Sequence, residues 1–183
     1  GALARLGGAV QARGVLFERC AGISLLAGGD GSRLTVEGCA VRHTLPRWEG
    51  LWGRAVEVTT GRVSLEVSHT LLEDSVEAGV FLAESGVEAR LDDVWIVGVR
   101  PGTRGLGCGV MAFAGARLTA SRLAISDVAG AAVLATPIGG RGDAVATLED
   151  AFIRRVRLST VRFNDSDRTA RPVAPTVAFG LHP

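Results

Sequence analysis

Apolar residues recur along the chain in short alternating steps, and the same arrangement returns six times. The stretch at 65–82, LEVSHTLLEDSVEAGVFL, shows it in full. Its apolar or small side chains fall at Leu65, Val67, Thr70, Leu72 and Ser75, and a Gly-h-x-h group follows at 79–82 (h is an apolar residue, x any residue). Alternation by two residues is typical of β-strands, and the polar pairs between the apolar positions mark turns. The pattern therefore predicts short strands joined at corners.

The copies begin 24 to 31 residues apart, at Val10, Leu34, Leu65, Ala89, Leu118 and Ala146. The Gly-h-x-h groups are placed at 22–25, 55–58, 79–82, 109–112 and 131–134, with a closing copy at 180–183. Self-similarity at this period predicts a solenoid. The apolar steps of two and three residues differ from the stripe of an amphipathic helix. The predicted fold class is therefore all-β, a single-stranded right-handed parallel β-helix of about six coils.

The number of residues between the last inward position and the Gly-h-x-h group alternates between short and long. Long connections occupy 45–54, 100–108 and 157–179, so long loops leave one corner on alternate coils. This predicts one β-helix domain over 1–183 built of paired-coil units at 1–54, 55–108 and 109–183. Because the pattern is already under way at Gly1, we expect the chain to be a fragment of a longer protein.

The charge and cysteine content narrow the choice of partners. The net charge is +1, and all 20 basic residues are arginine. A nearly neutral chain gives no general electrostatic basis for binding nucleic acid, and no apolar run is long enough to span a bilayer. Cys20 and Cys39 fall at inward positions and Cys108 at the end of a loop, so we expect free thiols and no metal site. Uncapped strand edges would favour end-to-end or edge association.

The repeat resembles the right-handed parallel β-helix repeat of pectin-lyase-like proteins over about 10–156 and the last four residues. It is most similar to the repeat-only proteins of high-GC bacteria, whose alternating coils carry Arg- and Gly-rich loops before a Gly-h-x-h strand. The resemblance implies a secreted or surface-displayed bacterial protein. It implies no particular reaction, because this fold includes lyases, hydrolases, epimerases and binding modules.

One corner column carries side chains that could catalyse a reaction on a polysaccharide. Alignment of the copies stacks His69, Asp93, Arg122 and Asp150 above one another, with Asp92 in the neighbouring column. Clustered carboxylates can act as acid and base or bind Ca²⁺, and an arginine can accept a proton. The alternative is a solvated ladder of opposite charges, which contributes about 0–1 kcal/mol per pair. A second column, which contains His43, Asp74, Asp127 and Arg155, allows the same structural interpretation.

The long loops form the second candidate surface. The residues proposed for ligand binding are Arg47, Trp48, Trp52, Arg54, Arg100 and Arg104. Aromatic rings beside guanidinium groups are common in glycan and protein recognition. We expect at least one of the two tryptophans to be partly exposed beside one of these arginines, whose guanidinium groups would be available to a carboxylate-bearing ligand.

Two functions are compatible with these features. The first is a non-enzymatic scaffold or adhesin-like module that presents the loop edge to a glycan or protein partner, without a cofactor. The alternative is a polysaccharide-active lyase, hydrolase or epimerase that uses the His69 corner, with Ca²⁺ as a cofactor only in that case.

Overall fold

The computed structural model describes residues 1–47, 52–103, 105, 107–137 and 142–157. Of these residues, 69% are in strands or bridges and none is in a helix, and they form a parallel β-solenoid of about five turns. The fourteen strands are β1 (Ala2–Arg5), β2 (Ala9–Arg13), β3 (Leu16–Glu18), β4 (Ile23–Gly28), β5 (Arg33–Glu37), β6 (Ala40–Arg42), β7 (Arg54–Thr59), β8 (Val63–Glu73), β9 (Ala78–Ala83), β10 (Val87–Val97), β11 (Gly107–Phe113), β12 (Arg117–Thr136), β13 (Val145–Glu149) and β14 (Phe152–Arg157).

Three stacks of parallel strands form the sides of the solenoid. The first stack runs β1-β4-β7-β9-β11-β12 and the second β2-β5-β8-β10-β12-β13. The third runs β3-β6-β8-β10-β12-β14, because the long strands β8, β10 and β12 continue around a corner. Each stack is thus six strands deep, and we call each level a rung. The predicted parallel β-helix is confirmed.

The predicted inward columns form the core. The largest fully buried side chains include Leu34, Leu65, Leu91, Leu118 and Ile125. Burial of each such side chain contributes about 1.5–3 kcal/mol. The first and last rungs are more open, since Val15 and Ile153 remain more than one third exposed.

Two of the predicted Gly-h-x-h positions are wrong. In the first copy Leu25 and Ala27 pair with Val56 and Val58, so the group lies two residues later than expected. In the fifth copy Val133, and not Ala132, pairs with Val110, so the group lies one residue later than expected. A slip of one residue moves a side chain to the opposite face of a strand.

The corrected register makes the three short connections equal in length. These connections are 21–23, 76–78 and 129–131, three residues each. Each one joins the last inward residue of a copy to the first residue of its Gly-h-x-h group. The Gly-h-x-h group begins with glycine at Gly79 and Gly109, where neighbouring atoms leave no room for a Cβ atom. An added Cβ at Gly79 would lie 2.6 Å from Ile96 Cγ2.

The two corner columns share one backbone conformation. The first corner comprises Gly14, Gly38, His69, Asp93, Arg122 and Asp150, with φ between 49° and 60°. The second corner comprises Arg19, His43, Asp74, Gly98, Asp127 and Arg155, with φ between 49° and 75°. This left-handed region is costly for most residues, and glycine, aspartate and histidine are enriched there. The recurrence of these residue types at the corners therefore has a backbone cause.

The positions of the cysteines lead to a prediction about thiol reactivity. All three are free, with Cys39 and Cys108 buried and Cys20 half-buried. Burial raises the pKa of the Cys108 thiol to about 11, which leaves almost no thiolate at neutral pH. We expect a thiol reagent at pH 7.5 to modify Cys20 first and the other two only after denaturation. Rapid modification of Cys108 in the folded protein, located by peptide mapping, would contradict its placement in the solenoid wall.

Candidate functional site

The first corner brings the candidate catalytic residues together on the surface. His69 Nε2 lies 3.9 Å from Asp93 Oδ2 on the next rung, and both side chains are well exposed. Asp92 forms an ion pair with Arg122 and accepts a 2.6 Å hydrogen bond from Ser121 Oγ. Asp150 lies on the last described rung, next in the column after Arg122. The predicted stacking of these residues is therefore present.

The electrostatics of this corner are those of a charge ladder. The hydrogen bond from Ser121 is the main cause that lowers the pKa of Asp92, with a smaller effect of Arg122. A carboxylic acid that donates a proton near neutral pH needs a raised pKa, so Asp92 is poorly suited to act as a general acid. Its lowered pKa and its ion pair instead suit a carboxylate that links two rungs.

The second corner repeats the ladder. Arg155 binds Asp127 through two hydrogen bonds of 2.5 and 2.6 Å, and this interaction lowers the pKa of Asp127 to about 2. His43 Nδ1 lies 3.0 Å from Asp74 Oδ2 one rung away. Exposed pairs of this kind contribute little to stability, so their main effect is to match charges between rungs.

The loop edge is the side from which the long connections leave. Leu45 pairs with Ala21 and Arg100 pairs with Val76, so the two long loops begin at equivalent positions of the solenoid. Val76 N–H also donates to the Gly53 carbonyl at 2.7 Å, which places Gly53, Val76 and Arg100 on successive rungs. Trp52 and Arg100 are therefore about 9–10 Å apart along the axis, two rungs of about 4.8 Å. The Trp48 and Arg104 predictions lie outside the described residues.

The prediction that the Arg54 guanidinium is available to a ligand is wrong. Arg54 is buried, and its Nε donates to Glu77 Oε2 at 3.0 Å while Nη1 donates to Glu57 Oε2 at 2.8 Å. The guanidinium carbon also lies 3.6 Å from the centre of the Phe81 ring. Burial raises the pKa of Glu57 despite the opposing effect of Arg54. This correction arises because stacking brings Glu77 of the next rung onto Arg54, which cannot be inferred from the loop sequence alone.

Trp52 is attached to this buried cluster but remains accessible. Its backbone N–H donates to Glu77 Oε2 at 3.3 Å, the same oxygen that binds Arg54. Its side chain is 41% exposed, and its φ of 60° is unusual for a bulky residue. The cluster thus fixes the backbone of an exposed aromatic residue.

The other two described arginines of the edge are exposed. The Arg47 side chain lies over Gly22 of the preceding rung, where an added Cβ would be 3.4 Å from Arg47 Cβ. Arg100 is held by its backbone, whose N–H donates to the Ser75 carbonyl and whose carbonyl accepts from Glu77 N–H, both at 2.9 Å. The Arg100 guanidinium forms no ion pair with any residue that the structure describes.

Trp95 is an exposed aromatic residue that lies outside the long loops and was not predicted as a site residue. It lies on β10 with its side chain 58% exposed, between two inward residues, Val94 and Ile96. It belongs to an outward column that is apolar on every rung. The members of this column are Leu16, Ala40, Leu71, Trp95, Ala124 and Phe152. Alignment of the copies could have revealed it, since the residue after the third inward position is apolar in all six.

The described residues contain neither a metal-ligand cluster nor a membrane-spanning helix. They contain no group of three or more His, Cys, Asp or Glu side chains placed to hold a metal ion. They also contain no helix with the length and apolar character needed to cross a membrane.

Comparison with known proteins found no matching family model, no matching curated protein and no matching solved structure.

Proposed function

We propose that the chain is a non-enzymatic β-solenoid module that binds an extended, carboxylate-bearing glycan along its loop edge. The observation that carries the proposal is the accessible Trp52 side chain, whose backbone is fixed by the buried Arg54–Glu77 pair. An aromatic residue whose backbone is fixed before binding loses less conformational freedom when a sugar stacks on its ring. Function commonly lies in such loops on rigid scaffolds.

Arg100 supplies the preference for a charged ligand. It is exposed two rungs from Trp52 without a carboxylate partner among the described residues. Arginine binds carboxylates through two parallel hydrogen bonds, so a uronate-type sugar one or two residues along from a sugar stacked on Trp52 could reach it. A protein ligand with an acidic extended segment is the other partner compatible with this edge.

A polysaccharide-active enzyme remains the competing function. It would use His69, Asp92, Asp93, Arg122 and Asp150 at the first corner, where the exposed Trp95 could contact a sugar ring. The ion pairs and the lowered pKa of Asp92 make this arrangement less favourable for acid catalysis. Release of new reducing ends or unsaturated uronate products, abolished by Asp93→Ala, would support the enzyme and contradict the binding module.

The binding proposal can be tested on an array that pairs uronate-containing oligosaccharides with their neutral counterparts. We expect the wild-type protein to bind the uronate series, and Trp52→Ala to weaken binding about tenfold or more, as truncation of a central aromatic contact typically does. Arg100→Ala should reduce the preference for uronates over neutral sugars. Trp95→Ala is the matched control on another side of the solenoid and should bind normally. Absence of uronate binding, or equal binding by Trp52→Ala, would contradict the proposal.

A further inference from the structure

Each of the three short connections of the solenoid has a residue with a positive φ at its centre. These central residues are Gly22, Glu77 and Gly130, with φ values of 85°, 75° and 152°. Gly22 N–H donates to the Leu45 carbonyl at 2.7 Å. Glu77 N–H donates in the same way to the Arg100 carbonyl at 2.9 Å. Glycine adopts a positive φ readily, whereas a larger residue does so at a cost in stability. Glu77 is therefore a glutamate at a position where the other two connections have glycine.

Neutralising Arg54 does not account for this glutamate. Arg54 Nη1 binds Glu57 at 2.8 Å, and Arg54 Nε binds Glu77 at 3.0 Å. The cluster thus places two carboxylates beside one guanidinium, and all three side chains are largely buried. Burial is the main cause that raises the pKa of Glu57 against the effect of Arg54, and the negative charge of Glu77 adds to the rise. Without Glu77 the arginine would still be paired with Glu57.

The contacts of Glu77 instead connect the two long loops of the loop edge. Its Oε2 accepts the 3.3 Å hydrogen bond from Trp52 N–H, near the end of the first long loop. Its backbone N–H binds the carbonyl of Arg100, where the second long loop begins. Its carbonyl accepts a 2.9 Å hydrogen bond from Cys108 N–H, where the second loop ends. One residue thus contacts the end of one long loop and both ends of the other.

We propose that Glu77 is a positioning residue of the loop edge, whose carboxylate holds the Trp52 backbone in a fixed place relative to Arg100. This inference rests on the proposed glycan binding, because a ligand that contacts both residues gains from their fixed arrangement. Residues in unfavourable backbone conformations are often found at functional sites, where their side chains have a role that offsets the strain. Glycine at position 77 would suit the connection itself, but it would leave Trp52 N–H without this acceptor.

Glu77→Gly separates a positioning role from structural support. The variant has the residue of the two equivalent connections and leaves Arg54 paired with Glu57, so its denaturation midpoint should stay close to that of the wild type. Thr60→Gly is the matched control, since it also introduces glycine at a positive φ, 64°, in an exposed turn away from the loop edge. A Glu77→Gly protein as unstable as Arg54→Met would show a structural partner of the arginine and would overturn the proposal.

Amide hydrogen exchange at Trp52, followed by NMR, measures the proposed contact itself. Loss of one charge-assisted hydrogen bond should make this amide exchange about tenfold faster in Glu77→Gly than in the wild type. Glu77→Gln keeps an acceptor oxygen and should retain the protection, and Thr60→Gly should not change it. Unchanged exchange at Trp52 in Glu77→Gly would contradict the assignment of Glu77.

Titration with uronate oligosaccharides connects the contact to binding. Glu77→Gly should bind them about two- to tenfold more weakly, because the ligand must then order Trp52 itself. Its preference for uronates over neutral sugars should remain, since that preference depends on Arg100. Glu77→Gln and Thr60→Gly should bind like the wild type.

The outcomes distinguish this inference from the function on which it rests. Wild-type affinity in Glu77→Gly, together with faster exchange at Trp52, would overturn the positioning role and leave glycan binding intact. Absence of uronate binding by the wild type would overturn the proposed function, and the exchange at Trp52 would still decide whether Glu77 holds this residue in place.

Discussion

Replacing Ile125 by Asp is expected to unfold the rungs on either side of it. Ile125 is fully buried and pairs with Ile96 and Ile153 of the neighbouring rungs. A carboxylate at this position has no cation or hydrogen-bond donor to compensate for lost hydration, which costs several kcal/mol. In a solenoid each rung is stabilised mainly by its neighbours, so the loss should spread to the adjacent rungs.

Chemical denaturation followed by far-UV circular dichroism measures this effect. Thr119→Asp is the matched control, since it adds the same carboxylate at an exposed position of the same strand β12. It should leave the denaturation midpoint close to that of the wild type. An Ile125→Asp protein as stable as this control would show that the inward columns are wrongly assigned.

The second large effect is expected from Arg54→Met. The substitution keeps an apolar contact with Phe81 but removes the cation between Glu57 and Glu77. Breaking a buried ion pair by removing one partner typically costs about 3–5 kcal/mol, because the remaining charge is uncompensated. We therefore expect the variant to be much less stable than Arg13→Met, which removes only an exposed pair with Glu37.

The pH dependence of Arg54→Met distinguishes electrostatic from packing effects. Burial already raises the pKa of Glu57 against the opposing effect of Arg54, so without the arginine its folded-state pKa should rise further above the unfolded value. Groups with a raised folded pKa contribute stability below the unfolded pKa and lose it as the pH rises through the folded value. The deficit relative to wild type should therefore shrink as the pH falls from 7 towards 4. An equal deficit at both pH values would indicate lost packing alone.

The sequence predicts the fold well because the repeated pattern contains the same local information six times. Inward residues such as Leu65 and Leu118 follow directly from alternation, and the left-handed corners follow from Gly, Asp and His at fixed positions. The register predictions are wrong in the first and fifth copies, where Ile23 and Leu134 are apolar residues at positions that do not face the core. Pairing between rungs, and not local composition, selects Leu25 and Val133.

The candidate site was harder to predict because its contacts connect different rungs. The Arg54–Glu77 pair joins residues from successive coils, so the loop sequence around Arg54 suggested an available guanidinium that the structure does not have. The corner residues His69 and Asp93 were placed correctly, but their common φ explains their identity without a reaction. Trp95 was hidden in a strand pattern whose outward positions are usually polar.

The most direct test of the central claim, that the loop edge binds a glycan without converting it, is mass spectrometry of an oligosaccharide held by the protein. A uronate oligosaccharide of defined length would be incubated with a stoichiometric amount of wild-type protein, with Trp52→Ala as the control that does not retain it. We expect the wild type to retain the oligosaccharide, which is then recovered with unchanged length, mass and end groups. Shortened chains, a mass change or unsaturated ends, lost in Asp93→Ala, would contradict this claim.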